Sequence, residues 1–141
     1  MTKKQIFVDT WAWYALTDVN DVDHQLAEKI NDCLLKDGYF FVTTNYVLAE
    51  SVTLIRYKMY HSVAVQFYNT IQKLIESGLV KLMRINEEHE TTAWKIFEKY
   101  NDQNFSFVDC TSFAVMQNLN LSEVFTADHH FETMGFILSI F

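Results

Sequence analysis

Four acidic residues stand where the surrounding pattern calls for an apolar side chain or a chain reversal: Asp9 in IFVDT, Glu50 in NYVLAES, Asp109 in SFVDCTS and Asp128 in FTADHHF. Taken singly, three have an ordinary structural use. Asp9 closes an apolar run, Asp109 falls near a helix start where an acid caps free backbone N–H groups, and Asp128 suits a turn. Glu50 is harder to place. Helical spacing sets it one turn from Val47 and Leu54, on or beside an apolar stripe. A buried carboxylate there needs a basic partner, hydrogen-bond donors or a metal. Arg56 and Lys58 lie beyond the i+3 and i+4 positions at which helical side chains meet.

Brought together, the four carboxylates would repel one another and raise some of their own pKa values unless a divalent cation sat among them. Oxygen ligands without a cysteine select the hard ions Mg²⁺ or Mn²⁺. Such an ion orients a water, lowers its pKa and offsets charge on a phosphate, so the chemistry expected is phosphodiester hydrolysis. The histidines give no zinc signature: His24, His61 and His89 are scattered, and the pair His129–His130 has no cysteine nearby. His130 is expected to be structural or peripheral to substrate rather than a metal ligand.

Whether the acids meet depends on the elements that carry them. QIFVD reads as a buried strand at residues 5–9, and TWAWYALTD as a helix directly after it. Asp23 is the expected N-cap of HQLAEKINDCLLKDG, with Leu26, Ile30, Cys33 and Leu34 on one face and Gly38 as the stop. YFFVTT is a second strand, followed by a helical hairpin of NYVLAESVTLIRYKM and HSVAVQFYNTIQKLIESG. LVKLMRI alternates as a strand, EEHETTAWKIFEKYN is a helix with its acids near the N-terminal end, and SFVDCTSFAVMQNLN is a helix starting at residues 106–109. EVFTA, a turn or short helix HHFETMG and the strand FILSIF complete the chain. About five strands separated by helices imply an α/β fold, a mainly parallel sheet with helices on both faces, in a single domain over residues 1–141. In such sheets ligands bind beyond the carboxyl ends of the strands, where Asp9 and Asp128 both fall.

Composition narrows the function classes. With 141 residues, half of them hydrophobic, the chain can bury a continuous core, and without proline and with three glycines it has neither a flexible linker nor a glycine-rich phosphate loop. Cys33 and Cys110 are expected to be core thiols rather than a bridge, and Trp11, Trp13, Phe40, Phe41 and Trp94 core aromatics. The N-terminal segment is neither a signal peptide nor a membrane span, so a soluble cytoplasmic protein is expected. A net charge of −7 argues against a broad basic nucleic-acid surface and fits carboxylates gathered around a cation. The local exception is RYKMYH, residues 56–61, which reads as the solvated end of a helix and, through Arg56 and Lys58, as a possible RNA contact.

The ordered motifs resemble those of the PIN-domain family, the PilT N-terminus-like nucleases whose best-known small members are VapC-type toxins. IFVDTWAWYAL is similar to the family's opening strand with its aspartate and hydroxyl residue, VLAE to its helical glutamate, SFVDCTSFAVMQ to its central aspartate motif, and FTADHHF to its closing threonine–any residue–aspartate motif. Order, spacing and length match over essentially the whole chain. The resemblance implies a Mg²⁺- or Mn²⁺-dependent endoribonuclease with Asp9, Glu50, Asp109 and Asp128 as its acidic metal site. Asp9 and Asp109 would bind the metal directly, and Glu50 and Asp128 directly or through water, orienting the attacking water. Thr10 and Thr126 match hydroxyl positions that support carboxylates, and Ser106 is expected to act similarly. An RNA substrate, a small antitoxin protein and a homodimer are the implied partners, the dimer also favoured by abundant aromatic and apolar residues. The chain departs from the pattern at Cys110 and Thr111, where small or aliphatic residues are more usual, and in its scarcity of basic residues.

Three other readings compete with a toxin. A non-catalytic PIN-like RNA-binding or assembly module would bind RNA without cutting it, and a housekeeping RNA-processing nuclease would have no antitoxin. A phosphatase using Asp9 as nucleophile lacks its second acid, because position 11 is tryptophan.

Overall fold

Ile6, Phe7 and Val8 are apolar on both sides of the chain, and all three are fully buried. A strand covered on both faces has this pattern. In the computed structural model, which describes residues 4–139, this segment is β1 (Gln5–Val8). It is followed by α1 (Thr10–Thr17), α2 (His24–Lys36), β2 (Phe40–Thr44), α3 (Asn45–Lys58) and α4 (His61–Ser77). Next come β3 (Val80–Met83), α5 (Glu87–Lys99), α6 (Phe107–Asn118), β4 (Glu123–Phe125), α7 (His129–Thr133) and β5 (Ile137–Leu138). The last strand is shorter than FILSIF, whose final two residues lie outside the described ones.

The sheet has the order β3-β2-β1-β4-β5, and every pairing in it is parallel. Phe7 lies opposite Val42 on one side and Val124 on the other, so β1 is the central strand. Right-handed crossovers put α1–α4 on one face and α5–α7 on the other. Within each face α1 touches α2 and α3, α3 touches α4, and α6 touches α5 and α7, while α3 also meets α6 across the division.

The helices divide into amphipathic covers and one buried member. α2 buries Ala27, Ile30 and Leu34, and its neighbour Cys33 is exposed, contrary to the expectation of a core thiol. Ala27 completes the apolar face in its place. Asp23 sits at the N-cap of α2 but makes no side-chain cap; its carboxylate instead accepts from the Trp11 indole at 3.3 Å. Gly78 closes α4 at φ 87°, a left-handed conformation that a Cβ would penalise. Trp94 is also not a core residue: it is 53% exposed on α5 and stacked on Phe97, with ring centroids 5.5 Å apart.

α6 is different, because every residue from Cys110 to Met116 is buried. A helix enclosed all round is fixed in rotation and translation by its neighbours. Phe113 anchors it, with Phe105 at 5.1 Å, Phe131 at 5.0 Å and Phe136 at 6.0 Å between ring centroids. Truncation at this position removes a large buried ring from a packed aromatic cluster. Phe113→Ala is therefore expected to lower unfolding stability by about 3–5 kcal/mol, read as a fall in the urea midpoint.

Candidate functional site

The sheet order dictates where a site can form. From β1 the chain moves outward to β2 and β3, then returns across the sheet to β4 on the other side of β1. The connections leaving β1 and β4 diverge, which opens a crevice beyond their carboxyl ends. Asp9 directly follows β1, and Thr126 and Asp128 follow β4.

Asp9 is only 6% exposed. Its backbone carbonyl accepts from the amides of Ala12 and Trp13, while its side chain makes no cap to α1. The Thr126 hydroxyl donates to Asp9 Oδ2 at 3.0 Å and accepts from the Asp128 amide at 3.1 Å, tying the ends of β1 and β4 together. Burial pushes the Asp9 carboxyl up to about 7, reinforced by the charges of Asp109 and Asp128 and opposed by hydrogen bonds from the Thr10 backbone and the Thr126 hydroxyl. No lysine or arginine pairs with it among the described residues.

Asp109 is the third residue of α6 and completes a capping box with Ser106. Its amide donates to Ser106 Oγ, and the Ser106 amide donates to Asp109 Oδ2, both at 3.0 Å. Ser106 thus supports the carboxylate through its backbone N–H; its hydroxyl is occupied by the Asp109 amide. Burial is the main cause of a raised pKa at Asp109, with Asp128 raising it further and Ser106 and His130 lowering it. Asp128 is the N-cap of α7 and accepts from the His130 amide at 2.9 Å.

His130 joins these two acids. Its Nδ1 is 3.3 Å from Asp109 Oδ2 and 3.4 Å from Asp128 Oδ1. One ligating atom from each of Asp109, Asp128 and His130 falls within 4.8 Å of the others, spacing that could hold a metal ion. His130 is thus nearer the acids than a residue structural or peripheral to substrate, as its motif position suggests, would be. The available signal was its position two residues after Asp128, which returns the ring toward its own cap once a short helix forms there.

Glu50 is exposed, not buried beside the apolar stripe as its spacing suggested. Val47, Ser51 and Ile55 make the buried line of α3, and Glu50 stands off it. It is nevertheless held, because Thr10 Oγ1 donates to Glu50 Oε1 at 2.7 Å. Thr10 follows Asp9 in the chain, so this bond sets Glu50 at the rim of the crevice. Beside it lies a groove of about 470 Å³ lined by Tyr46, Leu54 and Tyr57 of α3 and by Val108 of α6. Arg56 lines a different groove, between α3 and α4, and Lys58 places its ammonium 5.1 Å from the Tyr14 ring centroid. Neither joins the acidic group.

The raised Asp9 pKa has a consequence for stability. Between its ordinary value of 3.8 and about 7, the folded protein holds a proton that the unfolded chain releases. Stability of the metal-free protein therefore falls as pH rises through this window. At about 1.4 kcal/mol per pKa unit the effect at Asp9 reaches at most about 4 kcal/mol. In thermal unfolding with EDTA, the advantage of Asp9→Asn over the unsubstituted protein is expected to grow from pH 5 to pH 8.

The comparisons with known proteins agree with this architecture. The PIN domain family matches residues 6–137. The 23S rRNA-specific endonuclease VapC20 of Mycobacterium tuberculosis is 30% identical over 132 residues, covering 94% of this chain and 95% of that protein. The crystal structure of that sarcin-ricin loop cleaving toxin superposes with a TM-score of 0.81, covering 94% and 96% of the two chains. VapBC2 from Rickettsia felis, bound to a DNA fragment from its promoter, shares the fold at 11% identity, with a TM-score of 0.67 and coverage of 95% and 96%. With a central parallel strand ending in a buried aspartate, and with family and relatives matched over nearly its whole length, the chain belongs to the PIN-domain family.

Proposed function

We propose that this protein is a Mg²⁺- or Mn²⁺-dependent endoribonuclease acting as the toxin of a toxin–antitoxin pair. The observation that carries the reading is the buried Asp9 carboxylate, with two further carboxylates close enough to raise its pKa and, among the described residues, no lysine or arginine to balance it. A divalent cation fits that donor set: hard oxygens, a charge deficit and a crevice at the switch point of the sheet. Asp9, Asp109 and Asp128 would hold the ion, with Glu50 at the rim reaching it directly or through water. When bound, the cation supplies Lewis acidity and offsets negative charge on the scissile phosphate.

The protein's own groups do the rest. Thr126 and the Ser106 amide fix the Asp9 and Asp109 carboxylates, so little reorganisation is needed when substrate arrives. Glu50, held by Thr10 and open to solvent, would orient the attacking water and accept its proton. Water adds at phosphorus, a P–O bond to the leaving ribose oxygen breaks, and the chain is cut.

The ribosomal RNA target named for the mycobacterial relative makes 23S rRNA the first substrate to offer. The VapBC complex among the structural neighbours supports an antitoxin protein as partner. A homodimer would bring the few basic residues of two chains to one RNA, extending a contact that a single chain at net charge −7 leaves small. No helix among the described residues is long and apolar enough to cross a membrane, in keeping with action on RNA in the cytoplasm. The same scarcity of basic residues favours, as the second reading, a PIN-like module that binds RNA without cutting it.

The test is cleavage of ribosomal and mixed-sequence RNA with Mn²⁺, with Mg²⁺ and with EDTA. Cutting is expected with metal only, and Asp9→Asn or Asp109→Asn is expected to reduce it by at least about a hundredfold, beyond the 10–100-fold typical of losing a group that merely supports a ligand. RNA binding that survives EDTA without cleavage would select the non-catalytic reading. Thr126→Val, which removes the bond to Asp9 at nearly constant volume, is expected to cost about 10–100-fold in rate, and Thr126→Ser to restore most of it.

A further inference from the structure

His130 is set more firmly than a peripheral residue needs to be. Its amide is bonded to Asp128, the next residue, Phe131, is fully buried, and its ring meets Phe105 edge-on at 5.2 Å and 77°. Three of the other histidines have different work. His24 bridges Glu28 and the Ala15 carbonyl, His89 closes the capping box of α5, and the exposed His129 faces Glu132. Among the described residues, only His130 turns a ring nitrogen toward both Asp109 of α6 and Asp128 at the N-cap of α7.

The distances describe a shared centre better than a hydrogen bond. A charge-assisted N–H···O contact closes to about 2.7–2.9 Å, and a single ring N–H cannot serve two acceptors well. Nδ1 instead lies nearly equidistant from Asp109 Oδ2 and Asp128 Oδ1, at 3.3 and 3.4 Å. Adjacent ligands around an octahedral ion with bonds of about 2.1–2.2 Å are roughly 3 Å apart. With the three ligating atoms all within 4.8 Å of one another, a contraction of the group lets a nitrogen and two oxygens share one cation.

We infer that His130 is a direct nitrogen ligand of the divalent cation, making the centre a mixed imidazole–carboxylate site that favours Mn²⁺ over Mg²⁺. The inference rests on the metal-dependent reading above and adds its ligand set and metal preference. Mg²⁺ takes oxygen donors and keeps much of its water, whereas imidazole suits first-row transition ions, so a ring nitrogen in the set shifts selectivity toward manganese.

The experiment is pulsed electron paramagnetic resonance of the full chain loaded with Mn²⁺, at natural abundance and with ¹⁵N-labelled histidine, beside titrations of Mn²⁺ and Mg²⁺. Directly bound ¹⁴N modulation is expected, replaced by ¹⁵N coupling on labelling. It is expected to vanish in His130→Gln and to persist in His61→Gln and His129→Gln. His130→Gln is also expected to lower the ratio of Mn²⁺ to Mg²⁺ affinity by about tenfold or more. Bound Mn²⁺ without histidine nitrogen coupling, or coupling that survives in His130→Gln, overturns this inference and leaves the metal-dependent reading standing. Failure of the unsubstituted protein to bind Mn²⁺ overturns both. The labelled, unsubstituted protein decides whether a histidine ligates even should the variant fail to fold, and His24→Gln, His61→Gln, His89→Gln and His129→Gln, each keeping the coupling, then assign it to His130 by elimination.

Discussion

Asp9 stands at the end of the central strand, nearly out of water, with hydrogen bonds from a threonine hydroxyl and a backbone amide but, among the described residues, no lysine or arginine to balance it. Removing a carboxylate from water costs several kcal/mol unless something compensates, and two more acids nearby make the position worse. The rest of the site is arranged around that deficit. β4 must lie directly beside β1 for Thr126 to reach Asp9, and the return crossover must run through a helix buried on all sides for Asp109 to be fixed opposite them. Stability given up in one carboxylate leaves the crevice with negative charge that a cation would offset.

Local structure and chemistry use the same atoms here. Asp109 is at once the third residue of a capping box and a site carboxylate; Asp128 is at once a helix cap and its neighbour. A cap fixes the side-chain rotamer through bonds to adjacent backbone, so orientation comes from a few residues of sequence rather than from a distant scaffold. Fixing a carboxylate before its ligand arrives removes part of the ordering cost at the moment of binding. The ordinary structural readings of Asp109 and Asp128 are therefore correct descriptions of how these acids are aimed.

The sequence pattern made the strand ends legible, because a short apolar run ending in an acid is an unusual way to close a buried strand, and β1 and β4 both carried the signal. What depended on side-chain direction was less legible. Helical spacing placed Glu50 one turn from Val47 and Leu54, but the buried line of α3 runs through Val47, Ser51 and Ile55, and a serine occupies the enclosed position. Residue type points Cys33 and Trp94 inward, yet both are exposed: apolar atoms make up much of any protein surface, so type alone does not locate them. His130 meets Asp109 only because α7 comes to rest against α6, a juxtaposition with no trace in local periodicity.

The bond between Thr126 and Asp9 joins residues 117 positions apart. Contacts of such long range form late, because the intervening chain must be closed into a loop before they stabilise anything. During synthesis, a chain that has released only its first hundred residues has β1, β2 and β3 available but neither Asp109 nor the strand that completes the crevice. For the RNA cleavage proposed above, this order of emergence would be a safeguard in time: a chain that has released only β1, β2 and β3 holds Asp9 but not the two acids that face it.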